Sequence, residues 1–332
     1  AATDDPFLIG ARENFGVAFE NDYVEGKMEM LAIWSGTVYS LSDFIGLTGG
    51  DGPSAPPPTD YIWTGESGNW NLGSPPGASG GPFSSYHTAT FSDSISEPAT
   101  VFTNKHVTVN SVTFNNSTHS YGVVGLGSVS LNSNTDTPAV NPSINVTGTH
   151  EFQTPVGLLT NAVADIGGGS TLTFNHALNL NGNTPTKTGA GTLRINNVLS
   201  TGGGTVIGLE GTIGGSGTIA GSLENNGATV SPGNSPGILT VADNYSQGGG
   251  GTLEIEIMGS NPGEGGHDQV LVGGSASLDG TLDIQTDAGF TPAVGAMPGM
   301  IGDSFVIITA ASRTGEFSTV NGRHMGSGKF YK

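Results

Sequence analysis

The sequence predicts an all-β protein, a solenoid of short strands wound into a repetitive coil, preceded by an apolar segment set apart from it. Three observations carry that reading. A Gly-x-Gly-Thr-apolar unit occurs as Gly189–Leu193, Gly202–Val206 and Gly215–Ile219, each time breaking the chain and restarting a short alternating strand. Thr-apolar pairs continue on both sides of it, at Thr171-Leu172, Thr252-Leu253 and Thr281-Leu282. Finally, 56 Gly and 18 Pro among 332 residues mark many turns without the collagen period. The uneven spacing of the pairs suits a coil whose rungs carry loops of different length. It does not suit a propeller, whose blades need about 40 to 50 residues of four strands each.

Residues 1–48 are the most apolar part, with Phe15, Val17 and Phe19 alternating as a strand would and Met30, Ile33 and Trp34 following. The expected role is a cap over an open end of the coil, since a bare end exposes both core and strand edges. The alternative is an exchange segment that docks on a neighbouring subunit, with these six residues as the assembly contacts. Residues 49–59 form a Gly/Pro linker in which Pro56-Pro57-Pro58 favours extended geometry. From residue 60 to 332 the repeat domain follows.

That domain opens with Trp63 and Trp70 around a Gly-rich turn. Tryptophans so placed are expected to plug a core end; a flat exposed pair would instead be a carbohydrate contact. Short alternating runs then appear at Val107-Thr108-Val109, Val112-Thr113-Phe114 and Val129-Ser130-Leu131, separated by Asn, Ser and Gly. Asn115-Asn116, Asn196-Asn197 and Asn225-Asn226 each end a run, where Asn tolerates a left-handed backbone and bonds its own chain at a corner.

Lys187-Thr188-Gly189-Ala190-Gly191-Thr192-Leu193-Arg194-Ile195 closely resembles the K-x-G-x-G-T-L-x-L pattern of the autotransporter-associated β-strand repeat of bacterial surface proteins. Asn225-Asn226-Gly227, Ser231 to Gly237, Gly251 to Ile257 and His267-Asp268-Gln269-Val270 resemble the block that closes such passengers. The likeness covers residues 185–320 well, residues 60–184 loosely and residues 1–59 not at all. It implies a right-handed parallel β-helix outside the cell. The chain departs from autotransporters in carrying no barrel segment before Lys332.

Composition narrows the function classes. Nine Lys plus Arg against 28 Asp plus Glu give a formal charge of −19, which opposes nucleic acid and anionic lipid. No apolar run reaches the roughly 18 residues of a membrane helix, so membrane insertion is not expected. The Ala1-Ala2-Thr3 start fits a mature N-terminus after signal removal, and the low charged fraction of 11% with abundant Gly, Thr, Asn and Ser fits an extracellular or cell-surface protein. Without cysteine there are no disulfides, thiolate metal sites or cysteine nucleophile.

No catalytic constellation stands out, and neither an enzyme nor a cofactor is expected. Glu254 and Glu256 share one face of a strand whose other face is Leu253, Ile255 and Ile257, the pattern of a solvated sheet face. Asp268, Asp279, Asp283 and Asp287 are scattered hard-oxygen ligands that make Ca²⁺ the one candidate ion, yet no calcium-loop pattern is present. His87, His106, His119, His150, His176, His267 and His324 show no metal spacing. Gly77 to Gly81 formally matches G-x-S-x-G but is read as a loop, which cannot hold a nucleophile elbow. Gly326-Ser327-Gly328-Lys329 lacks the following Ser or Thr of a phosphate loop. The expected function is a structural or adhesive surface protein that self-associates by strand addition into a head-to-tail filament, with surface glycans as a further partner class. A polysaccharide lyase or hydrolase, for which the central repeats offer only Lys187 and Arg194 as bases, and a carbohydrate-binding module are the alternatives.

Overall fold

The computed structural model describes residues 61–63, 65, 67–70, 78–79, 88–133, 141–295, 302–324 and 331. The chain divides into two units, residues 1–57 and 58–332, and all described residues belong to the second. The six assembly residues expected between Phe15 and Trp34 therefore lie outside the described part.

Every regular element among the described residues is a strand, and nearly all pair in parallel. The order of pairing is that of a coil with three strands per turn. One column contains Tyr61–Trp63, Thr88–Phe91, Ser111–Asn115, Ser143–Thr147, Ala162–Ile166 and Pro185–Thr188, and continues to Ser312–Gly315. A second is the 11-stranded sheet from Gly68–Asn69 to Thr319–Asn321. The third runs from His106–Val109 to Ile308–Thr309. Columns one and three merge into a single 19-stranded sheet because Val198–Gly208 and Thr218–Asn225 run straight through the corner between them. Their pairing shifts register between Ser200 and Thr205, the point at which the strand changes column.

Alternation explains why these segments are strands. Thr218–Asn225 and Thr252–Ile257 alternate half-buried and buried residues without a break, so one side of each rung fills the coil and the other meets solvent. In-register stacking turns each inward position into a ladder. In the first half the ladders are aromatic, Phe91 stacking on Phe114 at 5.0 Å and Phe152 on Phe174 at 5.4 Å, and His150 of the second column stacks across the core on Phe114 of the first at 4.8 Å. In the second half the ladder is aliphatic, through Ile213, Val230, Leu253 and Leu282.

The Thr-apolar pairs of the sequence sort into columns. Thr149, Thr171, Thr192, Thr212, Thr229, Thr252, Thr281 and Thr319 occupy one register of the second column. Thr205, inside Val198–Gly208, and Thr218, at the start of Thr218–Asn225, have the same appearance in sequence but stand in the other columns. The Asn corners hold in their hydrogen bonding but not in a left-handed backbone, which none of the six adopts: Asn116 and Asn225 are buried, and Asn225 donates to Thr252 O at 3.0 Å while accepting from Ala228 N–H at 2.9 Å.

Candidate functional site

A rod of stacked rungs has two ends and a side, and the two ends differ. At the first rung, Tyr61–Trp63 has the short strand Ala78–Ser79 laid antiparallel along it, with Ile62 opposite Ser79 and Trp63 opposite Ala78. An antiparallel strand at this position occupies an edge that the coil would otherwise leave open. Residues 78 and 79, expected to lie in a loop, are thus part of the sheet.

Trp63 and Trp70 are fully buried. Trp70 meets Phe91 edge-on at 5.3 Å, Trp63 tilts against the same ring at 6.1 Å, and the Trp63 indole N–H donates to Gly65 O at 2.7 Å. Gly68 lies so close that a Cβ there would stand 3.3 Å from the Trp63 ring. The two indoles plug the core end and offer no free face for stacking on a sugar, which sets aside the carbohydrate contact at these residues.

At the opposite end the described strands are more exposed, and Tyr331 folds back on them, its hydroxyl bonded to Thr286 Oγ1 at 2.9 Å and its ring edge-on to Phe305 at 5.9 Å. Ser312–Gly315 is exposed along its whole length, and no further rung follows Thr319–Asn321 among the described residues. Val306 is 53% exposed, and a cavity of about 460 Å³ opens beside it. Its walls include Leu278, Phe305, Ile308, Arg313 and Phe317. An exposed strand beside apolar side chains is the kind of surface that strand addition uses.

The side of the rod carries polar groups that the fold itself consumes. Lys187 is buried, its Nζ donating to Thr188 O and Gly189 O at 2.7 Å and to Glu210 O at 3.2 Å. Burial lowers its pKa to about 8, with Asp165 and Glu210 acting in the opposite direction. The turns around it need glycine: Gly189 has φ 72° and Gly211 φ 66°, and a Cβ on Gly211 would fall 2.8 Å from Nζ. The lysine of the repeat pattern is therefore a corner staple. Arg194, the other central base, lies on the outer face and donates to Asn234 Oδ1 at 2.7 Å.

No family model, curated protein or solved structure matches this chain.

Among the acids, Glu254 and Glu256 point outward as expected, accepting from Ser231 Oγ at 3.0 Å and from Ser235 Oγ, respectively. Glu254 stands in register with Asp283, and Asp279 accepts from Gly280 N–H and Ser318 Oγ, which holds its carboxyl below the usual range. Asp268 breaks the pattern of a scattered surface acid. It is fully buried, and its two oxygens accept from Gly237 N–H at 2.6 Å and Glu256 N–H at 2.9 Å, tying two successive rungs. Burial pushes it up to about 7 against the pull of those two N–H groups, and Glu256 and Glu254 push the same way.

The histidines stay apart. His106 is exposed and bonded to Ser128 Oγ at 2.7 Å, whereas His150 is buried, with Nδ1 accepting from Tyr121 N–H at 3.0 Å and Nε2 donating to Thr147 O at 2.8 Å. Burial lowers the His150 pKa. His267 is buried edge-on to Phe305 at 5.3 Å with neither ring nitrogen bonded. His176 and His324 are exposed, and His87 lies outside the described residues. Among the described residues no three His, Asp or Glu side chains gather as a metal site.

Sequence reasoning missed the antiparallel edge strand Ala78–Ser79 and the inward turn of Lys187 and Asp268, none of which has a periodic signal.

Proposed function

We propose that this chain is a secreted bacterial structural or adhesive protein of the autotransporter-repeat kind, located outside the cell or on its surface. Its repeat domain is a right-handed parallel β-helix serving as a rigid rod that self-associates head-to-tail into a filament. The observation that carries this reading is the contrast between the ends: the first rung is plugged by Trp63 and Trp70 and flanked by Ala78–Ser79, while the strand Ser312–Gly315 of the last described rung is exposed along its whole length. Two unlike ends favour a heterologous contact, which generates an open chain of subunits when the rotation does not close. The polar side groups described above support a scaffold, since each is tied into turns or into the neighbouring rung. Resemblance of residues 185–320 to passenger repeats supplies the extracellular setting.

Negative-stain microscopy of the full chain and of a chain lacking residues 1–50 tests the reading. Filaments from the full chain and discrete particles from the shortened one are expected. Discrete monomers in both sink it.

A further inference from the structure

His150 lies buried in the first half of the coil, and both of its ring nitrogens are committed to backbone partners. Nδ1 accepts the N–H of Tyr121 at 3.0 Å, and Nε2 faces Thr147 O at 2.8 Å and Asn116 O at 3.1 Å. A backbone N–H can only donate, so Nδ1 keeps its lone pair and the single ring proton sits on Nε2, directed at the two carbonyls. The bonded ring is therefore neutral. Thr147 belongs to the same turn of the coil as His150, whereas Tyr121 and Asn116 belong to the turn before it. Pairing of Tyr121–Val124 with Thr149–Gln153 runs from Gly122 opposite Glu151 to Val124 opposite Gln153. At Tyr121 the acceptor is the imidazole rather than a strand carbonyl, so the ring bolts two successive turns together.

We propose that His150 is an acid-operated release between these two turns: neutral, it holds them, and on gaining a proton it lets Tyr121–Val124 and Thr149–Gln153 part while the later rungs stay wound. An imidazolium donates at both nitrogens, so a proton on Nδ1 sets it against the Tyr121 N–H as donor against donor. Two features favour the cation. The ring stacks on Phe114 at 4.8 Å and 11° from parallel, which offers a π face, and the carbonyls of Thr147 and Asn116 accept from it. Burial outweighs them and lowers the pKa of the group.

The titratable groups on the surrounding elements do not supply a counter-charge. The Tyr121 phenol donates to Ser92 O at 2.7 Å, His119 stands half-buried at the Asn116 corner, and Glu151 lies on the outer face, bonded to Gln153 and Asn175. Leu172, in register with His150 on the following turn, is apolar. Because the folded value lies below the unfolded one, the unfolded chain binds more protons in acid. The stability secured by this group is whole above the ordinary imidazole range and is lost as pH falls through it. Each turn of a solenoid meets only its neighbours, so the loss stays local. The release needs no second copy of the chain and stands apart from the filament reading.

Hydrogen exchange of the full chain, read by mass spectrometry at about pH 7.5 and about pH 5 with times scaled for the intrinsic rate, tests the release. Tyr121–Val124 and Thr149–Gln153 are expected to lose about tenfold protection in acid, the worth of one hydrogen bond, while Thr212–Gly215 and Thr229–Pro232 change less than about twofold. His150→Gln keeps a donor and an acceptor without titrating, so its profiles at the two pH values are expected to coincide. An NMR titration of the native His150 ring is expected to share its midpoint with the opening, a readout that stands even if the variant does not fold. Unchanged protection in the native chain, an equal acid loss in a folded His150→Gln, a loss of the same size in the two reference strands, or a ring midpoint apart from the opening overturns the proposal. Each of these leaves the filament reading untouched.

Discussion

Replacing Lys187 by Met separates a structural lysine from a chemical one. The substitution keeps the length of the side chain and removes the ammonium, so Thr188 O, Gly189 O and Glu210 O lose a shared donor inside a corner that water does not reach. An unsatisfied buried acceptor costs about 1–3 kcal/mol, and carbonyls in a turn regain part of that by relaxing, so a loss of about 3–5 kcal/mol is expected at pH 7. The pH dependence supplies a second, independent readout. With the folded pKa near 8 and the unfolded value about 10.4, the unfolded chain binds more protons between these limits, and stability contributed by this group rises with pH. From pH 7 to pH 10 the native chain gains about 2.5 kcal/mol that the Met variant lacks. Urea unfolding by far-UV circular dichroism at both pH values measures the gap between the two proteins. Because a solenoid can unfold locally, amide exchange in Pro185–Thr188 and Thr192–Ile195 places the loss in the right rungs. Equal stability of the two proteins, or a gap that does not widen towards pH 10, refutes the staple.

Asp268 has the opposite sign. Its folded pKa of about 7 lies above the unfolded value near 3.9, so its contribution is full below pH 4 and is lost as pH rises through 7, by up to about 4 kcal/mol. The difference between the native chain and Asp268→Asn, measured by urea unfolding, is expected to be largest at pH 4 and to shrink by pH 8. Gly211→Ala is expected to cost about 2–4 kcal/mol in the same assay, because its Cβ falls 2.3 Å from Gly191 O at a φ of 66°; no loss would remove the steric reason for glycine there. Trp70→Ala is expected to destabilise the first rungs by about 3–5 kcal/mol and to leave a glycan-array profile unchanged, whereas loss of a specific glycan signal would restore the sugar contact.

Architecture was legible in the sequence because a solenoid is local. Each rung meets only its neighbours, so a strand signal repeated every turn is nearly the whole fold: Thr192-Leu193 reads outward then inward whatever lies far away in the chain. Trp63 and Trp70 as a core plug, and the Asn corners at Asn116 and Asn225, were legible for the same reason.

Side-chain destinations at the corners were not. In sequence Lys187 reads as a candidate base and Asp268 as a scattered hard-oxygen ligand, and only stacking of the next rung shows that carbonyls surround the one and N–H groups the other. Thr205 and Thr192 look alike in sequence, yet stand in different columns because loop length sets where the coil turns. The ends illustrate the division most clearly. Alternation in the sequence determined that there are rungs; whether a terminal rung is covered depends on a strand such as Ala78–Ser79 folding back in three dimensions, a non-local contact with no periodic signal.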